Sequence, residues 1–170
     1  MAVACPESGL HWFALKVRSR AEKKVGDTLS ARGLEVFCPT YLDSRKYSDR
    51  VKTLHSSLFP GYLFCKLAWN NRLPALSAPH VEYIVGFGSQ PTPVNPTEVE
   101  AIQSIVRSGA LCRPHPFLRV GQRVRLHSGP LADVEGILLG SRGQHRLIVS
   151  VDLLQRSVAT EVDSAHVRPM

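Results

Sequence analysis

The sequence predicts two unlike domains: an α+β domain in which helices flank an antiparallel sheet, and after it a small all-β barrel. Helical and strand-like hydrophobic patterns alternate up to about residue 107, whereas short strand patterns separated by turns fill the chain from about residue 117. Between them, 108–116 has neither pattern and contains a glycine and two prolines, so it is predicted to be a linker. We therefore expect domains at 10–107 and 117–170.

The first domain opens with a strand and a helix. The apolar residues that alternate along the strand are Phe13, Leu15 and Val17. Ser19 and Glu22 then form a capping-box pattern, in which each side chain can bond to a backbone N–H at the start of a helix. The apolar face of this helix is predicted to contain Ala21, Val25 and Leu29. Gly33 stands where a left-handed residue would end the helix.

The next segments predict loops and strands. Charged and polar residues at 41–55 indicate an exposed hairpin or a mobile loop. After a Pro-Gly turn at 59–61, the apolar run at 62–67 predicts a second strand, and 83–85 predicts a short third one.

A second helix is predicted to begin at Asn95. Asparagine is a good N-cap, Pro96 suits the first helical position, and Glu98 is acidic in the first turn. The buried stripe of this helix is predicted to be Val99, Ile102 and Val106.

The second domain is predicted from five short strands. Alternating patterns indicate strands at 123–127, 134–139, 146–151 and 156–162, with a last one at Val167. Five short strands in about fifty residues are typical of an SH3-like barrel. So small a domain must close the edges of its sheet to be stable.

The charge and the hydrophobic pattern indicate which kinds of partner and location to expect for this protein. The net charge of +7, from 21 basic and 14 acidic residues, suits an anionic partner such as nucleic acid, with a solvated basic surface as the alternative. No apolar run approaches the ~20 residues of a membrane helix, and 1–9 lacks a signal-peptide pattern, so we expect a cytoplasmic protein with no membrane partner.

Cysteines and histidines are dispersed along the chain, so we expect reduced thiols, no metal and no other cofactor. The four cysteines are Cys5, Cys38, Cys65 and Cys112. No catalytic constellation is recognisable, and the Gly-Phe-Gly-Ser segment at 86–89 is too short for a nucleotide-binding fingerprint. The sequence therefore does not predict an enzyme.

Four motifs resemble a known family. The segments Trp-Phe-Ala-Leu at 12–15, Leu-Phe-Pro-Gly-Tyr-Leu-Phe at 58–64 and Val-Gly-Phe-Gly at 85–88 resemble the N-terminal domain of NusG and RfaH. The segment 120–136 resembles the KOW motif of the same family. Both domains stand in the family's order, and the resemblance covers the chain from about residue 10 to residue 167. On these motifs the chain is identified as a NusG/RfaH-like transcription elongation factor.

The resemblance implies a function and partners. The N-terminal domain would bind the clamp helices of RNA polymerase, bridge the DNA cleft beside non-template DNA and promote processive elongation. The KOW domain would bind a second partner, such as a ribosomal protein or Rho, and the protein is expected to be a monomer. The segments 44–52 and 147–158 resemble specialised antitermination paralogues of the UpxY/LoaP-like type, which act on particular operons.

Two alternatives to this specialised role stay open. Within the family, the chain could be a housekeeping NusG that acts with Rho and the ribosome. Outside it, a KOW-type RNA-binding or ribosome-binding protein would explain the charge and the barrel, but not the strands of the first domain.

The resemblance also implies a polymerase-binding surface. The residues that match the family's aromatic pocket are Phe59, Pro60, Tyr62, Phe64, Ile84 and Phe87. Tyr62 and Phe64 share one face of a strand by its two-residue period. Such a surface is apolar with a polar rim. The alternative interpretation is that these side chains are simply the core of the sheet.

Cations between the first strand and the first helix suit contacts with DNA phosphates, with a solvated helix start as the alternative. The residues expected to bind nucleic acid are Arg18, Arg20, Lys23, Lys24 and, more weakly supported, Arg72.

In the second domain, apolar side chains at the turns of so small a barrel are expected to form an exposed patch that binds a partner. The expected partner-binding residues are Leu131, Val134, Leu153, Leu154 and Arg156. The alternative is that they belong to the barrel core.

Overall fold

The computed structural model describes residues 8–88, 90–118, 120–141 and 144–170. These residues form two compact units. One contains the chain up to Cys38 together with Phe59–Val99, and the other contains Pro39–Leu58 together with Glu100 and all that follows. This division differs from the predicted boundaries, because 39–58 and 100–107 group with the second unit. Cys5 and Ser89, which were considered above, lie outside the described residues.

The helices and strands of the described residues are, in chain order, β1 (Leu10–Val17), α1 (Glu22–Ala31), β2 (Glu35–Phe37), β3 (Thr40–Lys46), β4 (Val51–Ser57), β5 (Tyr62–Ala68), α2 (Leu73–Leu76), β6 (Val81–Ile84), β7 (Gly86–Phe87), β8 (Gln90–Pro91), α3 (Pro96–Ser108), β9 (Cys112–Pro116), β10 (Gln122–Leu126), β11 (Glu135–Ser141), β12 (Gln144–Val151), β13 (Arg156–Val162) and β14 (Val167–Pro169).

The first unit is built on a four-stranded sheet in the order β2-β5-β1-β6, whose strand pairs are antiparallel. One face of this sheet carries the buried side chains that form a core with α1. The buried residues of this core, from the sheet, α1 and the segment of α2, are Phe13, Leu15, Val17, Ala21, Val25, Leu29, Leu63, Cys65, Leu67, Ala75, Ala78 and Ile84. The opening strand and the apolar face of the first helix were therefore predicted correctly.

The two ends of α1 differ in how well they follow local sequence rules. At the C-terminal end, Gly33 has a φ of +81° and its N–H donates to the carbonyl of Ser30, while the N–H of Leu34 donates to that of Leu29. This is the glycine-terminated arrangement that was predicted. At the N-terminal end the capping-box prediction is wrong, because the helix begins at Glu22 after Ala21 and has no side-chain cap.

The start of α3 was predicted correctly. The helix begins at Pro96, and the backbone N–H of Thr97 donates to Oδ1 of Asn95 over 3.0 Å. Its fully buried residues are Val99, Ile102 and Ile105. Val106 is only half-buried, so the predicted stripe was displaced by one residue at its end.

The charged segment is a hairpin rather than a mobile loop. β3 and β4 pair along their whole length, from Thr40 opposite Ser57 to Lys46 opposite Val51. A hydrogen bond from the N–H of Tyr47 to the carbonyl of Arg50 closes its tip.

The second unit contains a six-stranded sheet in the order β14-β10-β11-β12-β13-β9, with antiparallel neighbours throughout. All five predicted strands are present in it. Their buried residues include Val124, Leu126, Ile137, Leu147, Ile148, Val149, Val151 and Val158. The chain thus has the predicted fold class, a domain of helices and antiparallel sheet followed by a β-rich domain.

One strand of this sheet falls where no strand was predicted. Cys112–Pro116 pairs with β13, so the prediction that 108–116 has no regular structure is wrong for its second half. The strand lies at the edge of the sheet, where Pro114 and Pro116 need no N–H for a further neighbour. Two hydroxyls of β13 also hold this part of the chain: Thr160 donates to the carbonyl of Leu111, and Ser157 accepts from the N–H of Leu118.

In the described part of the chain, no helix is long and apolar enough to cross a membrane.

Candidate functional site

The buried part of the expected polymerase-binding surface lies on the face of the first sheet that α1 does not cover. Phe64 and Phe59 are fully buried, with ring centroids 5.4 Å apart and the rings edge to face. Phe37 stacks on Phe64 at 6.0 Å. These three rings form a rigid aromatic floor. Phe59 and Phe64 are therefore core residues, as the alternative interpretation proposed.

Three side chains lie side by side across the same face and stay accessible. Lys16 of β1 is directly opposite Tyr62 of β5 on one side and Tyr83 of β6 on the other. The ammonium group of Lys16 lies 4.9 Å from the centre of the Tyr62 ring. Tyr62 is half-buried, and Tyr83 is 52% exposed. We call Tyr62, Lys16 and Tyr83 the Tyr-Lys-Tyr strip.

The turn that leads into Tyr62 is tightly bonded. Pro60 is exposed at its corner, Gly61 has a φ of +84°, and the N–H of Tyr62 donates to the carbonyl of Phe59 over 2.9 Å. This is the geometry of a type II turn, in which proline and glycine are preferred at the two central positions. The N–H of Gly61 donates to the buried carboxylate of Glu22 over 2.7 Å.

The structure separates the other two expected residues of this surface. Ile84 is opposite Leu15 and packs in the core on the α1 side of the sheet, whereas Tyr62 lies on the other face. Phe87 lies on the small hairpin of β7 and β8 and is 71% exposed. Beside that hairpin is an open groove of about 320 Å³, whose lining includes Trp69, Leu76, Tyr83, Ile84 and Pro91.

Four of the five expected nucleic-acid-binding residues lie together. Arg18 and Arg20 are in the connection between β1 and α1, and Lys23 and Lys24 are in the first turn of α1. All four are exposed, whereas Glu22 between them is buried. The exposed charged side chains of 18–24 are therefore all cationic, which suits phosphate contacts.

Arg72 is engaged within its own segment. Its guanidinium group lies 4.4 Å from the ring centre of Trp69 and donates to the carbonyl of the same residue over 3.0 Å. Arg72 follows β5, whereas the other four cations lie in the connection after β1 and in the first turn of α1. Its position in the sequence therefore does not place it beside them.

In the second unit, most of the expected partner patch is buried. Leu131, Val134 and Leu154 are only 6%, 5% and 7% exposed, so the expectation of an exposed patch is wrong for them. The loop after β10 folds back, because Asp133 donates to the carbonyl of Leu126 and Leu126 donates to that of Val134. A one-turn 3-10 helix, Asp152–Leu154, buries the leucine at its end. Leu153 is half-buried and Arg156 is exposed.

The three cysteines in the described part of the chain have thiol pKa values raised above the ordinary value. Burial, and to a lesser extent Glu22 and Asp27, raises the pKa of Cys38 to about 11. Burial, helped by Glu35, raises the pKa of Cys65 to about 12, and burial also raises that of Cys112. A thiol with a raised pKa is a poor nucleophile. Among the described residues, no three His, Cys, Asp or Glu side chains are grouped as a metal would need.

Three residues of the site were missed by reasoning from the sequence. Lys16 and Tyr83 could have been found, because the two-residue period places each on the face opposite the core residues Leu15 and Ile84. Glu22 could not, since its partner Gly61 is 39 residues away and a helix-capping role was the simpler interpretation.

Comparison with known proteins gives consistent results. Residues 10–103 match the model of a family described as "Transcription termination factor nusG". The "Transcription termination/antitermination protein NusG" of Helicobacter pylori strain J99 is 26% identical over 167 residues, covering 90% of this chain and 94% of the relative. The protein of the same name from Escherichia coli K12 is 32% identical over 138 residues, covering 78% and 76%. A solved structure of Thermotoga maritima NusG has a similar fold, with a TM-score of 0.54, 21% identity and coverage of 95% and 98%.

Proposed function

Because this chain belongs to the NusG family of transcription termination/antitermination factors, we propose that it binds the clamp helices of RNA polymerase through the Tyr-Lys-Tyr strip and the adjoining Pro60. From there it bridges the DNA cleft and promotes processive elongation. The polymerase-binding part corresponds to 10–107 and the KOW domain to 117–170. The protein acts as a monomer.

The observation that carries this proposal is the setting of Tyr62. Tyr62 is only partly buried, whereas Phe64, two residues along the same strand, is fully buried among aromatic rings. A tyrosine held on a rigid base offers a large contact area at little cost in side-chain entropy, and such residues dominate binding energies in protein interfaces. Lys16 and Tyr83 supply a partly polar rim beside it.

The four clustered cations are proposed to contact the non-template DNA strand. Arg18, Arg20, Lys23 and Lys24 are exposed at one end of the first unit. Arg72 is a weaker candidate, because its guanidinium group already packs on Trp69.

For the second domain, the proposed partner is a ribosomal protein or Rho. The accessible residues of the expected set are Leu153 and Arg156. The charged hairpin of β3 and β4 and the segment 147–158 support a specialised role on particular operons, through their resemblance to antitermination paralogues.

The proposal is tested by measuring binding of the full chain to core RNA polymerase from the same organism. Loss of an interface anchor typically costs about 2 kcal/mol or more, so Tyr62→Ala should weaken affinity by about 30-fold. Tyr47→Ala is the matched control, because Tyr47 is 49% exposed at the tip of the hairpin and outside the proposed surface. An affinity of Tyr62→Ala within twofold of the unsubstituted chain would contradict the proposal.

A further inference from the structure

We propose that Glu22 is a positioning residue for polymerase binding: its buried carboxylate holds the turn that presents Tyr62. This inference rests on the proposed function, because it assigns a role in that same surface. Glu22 does not contact the polymerase in this account. It acts through the backbone of Gly61.

The type II turn at Phe59–Tyr62 contains no acceptor for the buried backbone N–H of Gly61. The turn's own hydrogen bond runs from the N–H of Tyr62 to the carbonyl of Phe59. The N–H of Gly61 is not part of that bond and would be left without a partner in a buried position, which costs free energy. A side chain from elsewhere in the fold must therefore supply the acceptor.

Glu22 supplies it from the first residue of α1. The side chain is only 8% exposed, and its Oε1 accepts the N–H of Gly61 over 2.7 Å. A buried carboxylate is costly unless it is hydrogen-bonded, so this contact satisfies both groups at once. Lys23 and Lys24 are exposed, whereas Glu22 lies on the buried face of the helix together with Val25.

The turn is held on its other sides as well. The carbonyl of Gly61 accepts the N–H of Val17 over 2.9 Å. A side chain at Gly61 would place its Cβ 2.5 Å from the ammonium nitrogen of Lys16, which itself lies over the Tyr62 ring. The hydrogen bonds with Glu22 and Val17 thus fix the residue immediately before Tyr62. Fixing it in advance removes an ordering cost that binding would otherwise bear.

The test compares three substitutions of Glu22 with one control. Glu22→Gln keeps an oxygen acceptor at the same place, Glu22→Leu removes it, and Glu22→Asp shortens the reach while keeping the charge. Asp27→Leu is the matched control, because Asp27 is an exposed acid on the same helix. The readouts are hydrogen exchange of the Gly61 amide by NMR and the affinity of each full chain for core RNA polymerase.

We expect Glu22→Leu to speed exchange of the Gly61 amide and to weaken polymerase binding, each by about tenfold, the loss of one charge-assisted hydrogen bond. Glu22→Asp should have smaller effects on both the exchange of the Gly61 amide and the affinity for polymerase. If Glu22→Leu does not fold, the test uses Glu22→Asp in its place. Glu22→Gln and Asp27→Leu should stay within about threefold of the unsubstituted chain. In a Tyr62→Ala background the effect of Glu22→Leu on affinity should vanish, because the ring that it positions is gone.

The inference is overturned if Gly61 exchanges faster in Glu22→Leu while polymerase affinity is unchanged, or if the loss of affinity persists in full without Tyr62. It is also overturned if exchange of Gly61 does not respond to Glu22 at all. Failure of the unsubstituted chain to bind polymerase would instead remove the proposed function, and the positioning role with it, even where the exchange data show the Glu22–Gly61 bond.

Discussion

Truncating Phe64 should strongly destabilise the first unit, whereas truncating Tyr62 should destabilise it only modestly. Phe64 is fully buried, with one aromatic ring stacked at 6.0 Å and another edge to face at 5.4 Å. Removal of such a phenylalanine costs about 3–5 kcal/mol, and the two ring contacts place Phe64→Ala at the upper end. Tyr62 is half-buried, so Tyr62→Ala should cost about 1–2 kcal/mol.

Urea unfolding followed by tryptophan fluorescence measures this difference. The chain has two tryptophans, Trp12 and Trp69, and both lie in the first unit, so the signal reports on that unit. With a denaturant slope of about 2 kcal/mol per M, a loss of about 4 kcal/mol lowers the midpoint by about 2 M. Tyr62→Ala should lower it by less than about 1 M. A Phe64→Ala midpoint within about 0.5 M of the unsubstituted chain would refute the packing argument.

This difference matters for any test of polymerase binding. A variant that truncates both aromatic residues would lose affinity because the unit is destabilised, whatever surface the polymerase contacts. Tyr62, which is only partly buried, can separate binding from folding, whereas Phe64 cannot.

Three further outcomes are expected. Gly61→Ala should destabilise the first unit by about 1 kcal/mol or more, since φ is +84° at this position and an alanine is strained there. A thermal midpoint equal to that of the unsubstituted chain would contradict this. Cys65, with a pKa near 12, should resist iodoacetamide at pH 8 in the folded chain and react after unfolding. Cys112 should react faster than Cys65, and mass spectrometry of the modified peptides measures the extent of reaction at each cysteine. Lys23→Gln with Lys24→Gln should lower affinity for exposed non-template DNA, an effect that shrinks as salt rises, and binding insensitive to both the substitutions and salt would count against phosphate contacts.

Capping rules, which depend only on neighbouring residues, correctly predicted the helix ends that are set by residues of the same turn. The start of α3 is set by Asn95 and Pro96, and the end of α1 by Gly33, because each acts on backbone groups in the same turn. The same rules failed for Glu22, which bonds to a turn 39 residues away. The residues next to Glu22 in the sequence give no indication of a tertiary contact over that distance.

The edge strand β9 shows a different limit. Prolines predict breaks, and Pro114 and Pro116 would disrupt a central strand. They are tolerated here because the strand has a neighbour on one side only. Strand order within a sheet is decided by long-range pairing, which the composition of one segment does not reveal.

Burial in the second unit was misjudged for a related reason. Leu131, Val134 and Leu154 stand at turns, where exposure is the usual expectation. In the structure, the loop hydrogen bonds and the 3-10 turn fold these side chains inward. A small sheet with limited core recruits apolar residues from its loops, which leaves Leu153 and Arg156 as the accessible residues of the expected patch.

The central claim is that the face bearing Tyr62 contacts the polymerase. The most direct measurement places a photo-crosslinking benzoylphenylalanine at position 62 in the full chain and maps its product on core RNA polymerase. Ser30 is the comparison site, because it is exposed on α1, which packs against the opposite face of the sheet. We expect a crosslink from position 62 to the clamp helices and none from position 30. Crosslinking from position 30 alone, or from position 62 to a part of the polymerase remote from the clamp, would contradict it.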